Sequence, residues 1–434
     1  MPVECHSKKR RGGRGRARGR AALLCPAVLW LAAGGRAPAQ DALRNALVVD
    51  TLATPQQAAP AQFTPAEHHL GPLQYTLGAS ASVGYVDNIN LSQTAKESDI
   101  FLSAGGSITA SWQATERSAL QFGAALGYSS YVNHPSYGGL FVTPTSALTY
   151  AIDLTEGSLM FYENYYYTRE VISQAALSGL AILPRSENTV GTRGTWLPAD
   201  WMLEAGYSHD DFTSEGAQFA YLNRTSELFN SRAGLRFGEK SQAGIEVTGG
   251  LTAYQESFQQ NNQDLSVGAF ADWQITQAIH ASLHGGPTVY FFDASSFQPS
   301  YEMTTYYFNV ELGYQLTDFL SQRVSASRSI LPGYGQGSSY IEELDVSYGL
   351  SYSLTSAVGL ALAFTYQQGS QPGGALFFPV TENYERLGFT PALSWRPTRQ
   401  LSASLSYSHW SRTSDLAGRG YTQNTATLGL SYVF

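Results

Sequence analysis

From residue 73 onward the chain is a succession of segments about 10 to 13 residues long in which apolar side chains alternate with small or polar ones, the period of a strand with one greasy face. Leu73, Tyr75, Leu77, Ala79, Ala81, Val83 and Tyr85 alternate with Gln74, Thr76, Gly78, Ser80, Ser82 and Gly84. Leu344, Val346, Tyr348, Leu350, Tyr352 and Leu354 repeat the pattern, as do Val358 to Tyr366 and Leu401 to Tyr407. The final run, Ala426, Leu428, Leu430, Tyr432 and Phe434, ends on the last residue.

Eighteen such segments can be read, starting near residues 73, 100, 118, 145, 158, 187, 201, 226, 241, 264, 278, 303, 319, 344, 358, 384, 401 and 422. Their connections alternate in length. Short links lie near Thr115-Glu116, Leu154 to Gly157, Pro198 to Asp200, Glu239-Lys240, Thr276-Gln277, Thr317-Asp318, Thr355-Ser356 and Pro397 to Gln400. The nine links in between are longer, about 10 to 17 residues each, and hold much of the Gly, Pro, Asn and acid. A soluble sandwich has no reason to sort its loops this way. A transmembrane barrel does, because it has an even strand number, short periplasmic turns and long outer loops. It must also close, since lipid offers no partner to an unpaired strand edge. The expected fold is all-β: a closed antiparallel transmembrane β-barrel of about 18 strands, with 16 as the alternative count. Strand five (SLMFYENYYYTRE) carries Glu163 and Asn164 on opposite parities, which leaves its faces unassigned. Pro391, and Gly285-Gly286-Pro287, each imply a bulge or a strand boundary.

Composition excludes other classes. Charged residues are 14% of the 434, against about 25% in soluble domains, while Gly (42) and Tyr (27) are abundant. No stretch after residue 40 approaches the roughly 20 apolar residues of a membrane-spanning helix. Residues 1–39 read as a secretory signal peptide: Lys8 to Arg20 is basic, Ala21 to Ala33 apolar, and Ala37-Pro38-Ala39 a small-x-small cleavage site. They contain nine of the 26 basic residues, one of the 34 acidic ones, and both cysteines, Cys5 and Cys25. The remainder has 17 basic against 33 acidic groups, a formal charge of −16, and no disulfide or cysteine-ligated metal is expected. Nucleic acid is not an expected partner of so acidic a chain. Residues 40–72, rich in Ala, Pro and Gln, read as a flexible periplasmic lead-in, and 73–434 as the barrel.

Tryptophan placement gives an independent check. Trp112, Trp196, Trp201, Trp273 and Trp395 all lie beside short turns on the apolar parity, as a periplasmic girdle at headgroup level requires. Tyr85, Tyr128, Tyr207 and Tyr366 lie at the long-loop ends.

The opening Gly84-Tyr85-Val86-Asp87-Asn88-Ile89, followed by a polar loop and a second alternating strand from Ser98-Asp99-Ile100, resembles the start of the β-barrel porin family of type two, in which a Tyr-x-Asn-type motif closes the first strand. The resemblance implies an outer-membrane barrel with a pore-forming or export-associated role and supplies no catalytic residues. The terminal Tyr432-Val433-Phe434 is similar to the aromatic end read by the barrel-insertion machinery, an expected partner together with outer-membrane lipid and lipopolysaccharide.

The parity facing away from lipid is mostly Ser, Gly, Thr and Gln, a wall for water rather than a packed core. Its few charges pair across hairpins if the turns are tight: Arg193 with Glu204, Arg232 with Glu246, Glu311 with Arg323, and Asp272 with His280. Arg236, Asp345 and Arg386 have no obvious hairpin partner and are candidates for exposed selectivity charges. His280 and His284 are about 13 Å apart along a strand, too far for one metal. No cofactor and no metal is expected. Gly333-Tyr334-Gly335-Gln336-Gly337 has no following helix, so it is not a phosphate cradle. No Gly-x-Ser-x-Gly elbow marks a hydrolase, and no enzyme activity is expected. The expected function is a passive channel for small hydrophilic solutes in the outer membrane of a Gram-negative bacterium, with a mild cation preference. The alternatives are a conduit for exported polysaccharide, with a periplasmic export partner at the lead-in, and a plugged structural or adhesive barrel acting through its outer loops.

Overall fold

The computed structural model describes residues 68–238, 240–373 and 380–434; the expected leader and all but the end of the expected lead-in lie outside the described residues. Eighteen barrel strands follow one another. They are β1 (Leu73–Val86), β2 (Asp99–Thr115), β3 (Ser118–Tyr131), β4 in two pieces (Gly139–Val142 and Ala147–Leu154), β5 (Gly157–Thr168) and β6 (Arg185–Trp196). Then come β7 (Trp201–Ser214), β8 (Arg224–Gly238), β9 (Ser241–Tyr254), β10 (Asn262–Gln274), β11 (Ile279–Phe292) and β12 (Tyr301–Thr317). The last six are β13 (Leu320–Pro332), β14 (Tyr340–Ser353), β15 (Val358–Gln371), β16 (Glu382–Trp395), β17 (Leu401–Ser414) and β18 (Tyr421–Val433). Each pairs antiparallel with the next, and β18 returns to β1 with Leu428 across from Val83, so the sheet closes. Within the expected lead-in, His68–Leu70 form a short strand folded back on Leu73 to Tyr75.

The two faces obey the alternation. Along β17, Leu405 is 54% exposed while Ser406 and Ser408 on the other parity are 4% and 5% exposed. The five girdle tryptophans all point outward. β5 resolves the same way: Phe161, Glu163 and Tyr165 face out, and Asn164 faces in. Pro391 and Pro287 sit within continuous strands with no change of register; Pro391 stands across from Leu362 and Pro287 from Tyr306. The neighbour that would have received each missing N–H simply loses bonds locally, so the expected bulges do not form.

The short turns share a device. In Gln113-Ala114-Thr115, Gln274-Ile275-Thr276 and Gln315-Leu316-Thr317, the glutamine amide donates to the threonine carbonyl at 2.6 to 2.7 Å. The threonine hydroxyl oxygen then accepts the backbone N–H two residues on, as Thr355 and Thr398 also do. Three bulges, at Gln113/Thr115, Arg236/Gly238 and Gln315/Thr317, tighten the turns further. At the other end several links are shorter than the sequence suggests, such as residues 255–261, 333–339 and 415–420, because the strands run on past the expected apolar boundary.

Candidate functional site

The longest stretch without strand between the barrel strands, residues 169–184 between β5 and β6, folds inward as a strap across the lumen. Its sequence explains why. Val171, Ala175, Ala176 and Leu183 are apolar in a loop that would otherwise be wet, and all four are buried. They pack on Leu91, Phe212, Trp410 and Tyr421 at one edge and on Ile341 and Tyr384 at another. The strap's backbone carbonyls, which no ladder satisfies, are gripped by arginines from β16, β17 and the loop after β17. Arg386 Nη2 donates to Ile172 O at 2.7 Å, Arg412 Nε to Ala175 O at 2.8 Å, and Arg419 Nη2 to Ala176 O at 2.9 Å. Arg412 and Arg419 both pair with Glu382 at 2.8 Å. Arg386 lies over the Trp410 ring at 3.8 Å and Arg412 over Tyr384 at 4.5 Å. At its near end the strap is held by Arg185, which donates to Glu170 O and pairs with Glu187 at 3.0 Å.

Two cavities remain inside the ring, and the strap lines one of them. A cavity of about 180 Å³ lies between the strap and the wall of β1 to β3 and β16 to β18, lined by hydroxyls such as Ser82, Ser103, Ser404 and Thr427. A second cavity of about 250 Å³ lies against β5 to β14 and is lined by carboxylates and rings, among them Asp210, Asp264, Tyr290 and Phe292.

Of the expected hairpin pairs, one is in register. Arg232 faces Glu246 and bonds it at 3.2 Å. The other three slip by two residues. Arg193 stands across from Gly206, and Glu204 instead faces Arg232 on its other side, because Pro198 and Ala199, at φ 50, lengthen the turn. Asp272 faces Ser282, leaving His280 across from Gln274. Glu311 faces Ser325, yet Arg323 reaches it diagonally at 3.1 Å, the offset arising from the bulge before Thr317. Arg386 and Asp345, expected as exposed charges, are 0% and 8% exposed. Arg386 is under the strap, and Asp345 lies between Ser327 and Gln367. Arg236 is half-buried across from Gln242.

One cluster was not legible in the pairings. Glu246 accepts from Arg232, from His284 Nδ1 at 3.1 Å and from Tyr307 Oη at 2.6 Å. His284 Nε2 bonds Ser282 Oγ at 2.9 Å. The order serine, histidine, carboxylate matches a hydrolase triad, but the Ser282 hydroxyl donates to Asp272 Oδ1 at 2.7 Å. The imidazole then donates from both nitrogens and has no lone pair with which to accept a proton. The cluster is a structural tie across β8 to β12.

A second missed device recurs at an interval that the sequence prints twice, Tyr207-Ser208-His209 and Tyr407-Ser408-His409. In each, the tyrosine and histidine clasp one acceptor on the next strand: Glu227 Oε2 and Oε1 in the first, Asn424 Oδ1 in the second. Asn424 also meets Asp87, tying β18 to β1.

A closed ring of strands with an apolar outer belt between aromatic ends and a polar inner wall can be satisfied only in a bilayer. The chain is an outer-membrane β-barrel. No protein-family model and no curated protein sequence matches it. Among solved structures it is similar to OmpT of Vibrio cholerae, at 13% identity over 85% of this chain and 100% of that one, with a TM-score of 0.40. It is also similar to OpdK of Pseudomonas aeruginosa, at 10% identity over 83% of this chain and 99% of that one, with a TM-score of 0.44. OccK5 of Pseudomonas aeruginosa is similar at 12% identity, 83% and 98% coverage and a TM-score of 0.46.

Proposed function

We propose that this barrel is a porin-like channel through which small hydrophilic solutes diffuse passively across the outer membrane, past a strap that narrows the lumen. The observation that supports it is the polar inner wall of a closed 18-strand ring, with one cavity remaining beside residues 169–184 and another against β5 to β14. An excess of acid in the chain supports a mild cation preference. The Tyr85, Asp87 and Asn88 motif supports placing the chain with the β-barrel porin family of type two. Asn88, fully buried, donates to the Thr422 and Ser92 carbonyls at 2.8 Å, so the motif also has work at the β1–β18 seam. Planar-bilayer recording of the purified, folded protein tests the reading. Discrete ohmic steps with a cation-directed reversal potential are expected; anion selectivity would contradict the preference, and silence the channel.

A plugged barrel acting through its outer surface is the second reading, favoured by how firmly the loops lock. Gln259 Nε2 donates to the Gly333 and Gly335 carbonyls, and Gln298 Nε2 to the Gly337 and Gly373 carbonyls. A bilayer that stays silent even when the strap's arginine grips are removed would favour it.

A further inference from the structure

The larger cavity, near the outer ends of β5 to β14, carries a chemistry that the channel reading does not require. Its wall includes the rings of Tyr166, Tyr290, Phe292 and Tyr340. Phe292 stacks with Tyr290 and Tyr301 at centroid distances of 5.8 and 4.7 Å. Into the same space faces Asp264, on the inward parity of β10. Its cross-strand neighbours are Gly250 and Tyr290, neither of them basic, and no described side chain forms an ion pair with it. Gly250 leaves the space that Asp264 Oδ1 occupies: a methyl group there would meet the carboxylate oxygen and make the side chain turn. The basic groups nearby are already engaged. Arg224 lies over Phe212 at 4.0 Å and donates to Leu222 O, and Arg185 is held by Glu187 and the strap. What remains is a carboxylate without a counter-ion among aromatic faces, in a space just below the range of about 300 to 1,000 Å³ usual for drug-sized guests.

We propose that this cavity is a binding station for small organic cations, solutes carrying a quaternary or protonated amine, with Asp264 as counter-ion and the rings of Tyr290, Phe292, Tyr166 and Tyr340 facing the charge. The proposal rests on the channel reading for its purpose, since a weak station at the outer mouth would enrich such solutes before passage. An inorganic cation would be satisfied by the carboxylate alone, whereas rings beside it reward a soft, poorly hydrated charge.

Calorimetric titration of the folded barrel in detergent with choline, and with its uncharged carbon isostere dimethylbutanol, tests the site without depending on conduction. Choline is expected to bind, and the isostere at least about tenfold more weakly. Asp264→Asn is expected to lose about tenfold in choline affinity, Tyr290→Leu severalfold with the charge retained, and Asp318→Asn, in a short turn at the other end, nothing. Equal binding of choline and the isostere, no choline binding, or wild-type affinity in both Asp264→Asn and Tyr290→Leu would overturn the proposal. Potassium currents from the same preparation separate the two readings: current without choline binding sinks the station alone, and choline binding without current sinks the channel alone.

Discussion

At the scale of residues, the barrel's polar side is organised by ties that are costly to half-break. Glu246 is 1% exposed and takes its bonds from Arg232, His284 and Tyr307. Removing one partner of a buried pair costs more than removing both. Arg232→Met is expected to destabilise the folded barrel by about 3 kcal/mol, and the double variant with Glu246→Leu by less than the two single losses added, in urea unfolding from lipid vesicles. Additive losses would show that the groups do not act together. The outward face gives a second case. Leu405 and Leu428 stand across from each other and both face out, so either one changed to Arg should cost about 2 to 4 kcal/mol near the lipid midplane, while Ser404→Arg is tolerated. A third concerns pH. The Asn383 backbone N–H and amide hold the Asp415 carboxyl below the usual carboxylate range. That tie contributes fully above the ordinary aspartate value and is lost as pH falls through the depressed one. Exchange protection of the Asn383 amide should therefore be flat from neutral to mildly acidic pH and drop only in stronger acid.

At the scale of elements, strand number and the location of every short turn were legible because lipid enforces period two and closure without reference to distant residues. Register was not. The hairpins at Pro198-Ala199 and Thr276-Gln277 slip by two residues relative to a tight turn, and a slip of two keeps every side chain on its face, so alternation carries no information about it. The turn chemistry did carry a signal, in the repeated Gln-x-Thr. Thr276→Ala removes an acceptor for two backbone N–H groups, of Ala278 and Ile279, and should cost about 1 kcal/mol in the same unfolding assay. The strap was the element least visible. Its tether partners, Arg386 and Arg412, are more than two hundred residues away along the chain. Arg386 had no hairpin partner in the sequence, and that was the one available hint: it reaches a backbone carbonyl of the strap.

At the scale of the whole molecule, the strap makes conductance a structural readout. Arg386→Leu with Arg412→Leu removes the grips on the Ile172 and Ala175 carbonyls, and leaves Ala176 to Arg419 alone, while keeping the ladder of strands intact. Unitary conductance is expected to rise severalfold, with no loss of heat-resistant folded migration; unchanged conductance would mean that the strap does not limit the path. The claim beneath all of this is that one face of every strand touches hydrocarbon and the other touches water. Both cysteines lie at positions 5 and 25, so the barrel itself has none, and single cysteines can be placed at successive positions from 403 to 408. With the protein in vesicles, a water-soluble maleimide is expected to label positions 404 and 408, which line the cavity beside the strap, and fluorophores at 403, 405 and 407 to be quenched by brominated lipid. Labelling and quenching that do not alternate would contradict that claim.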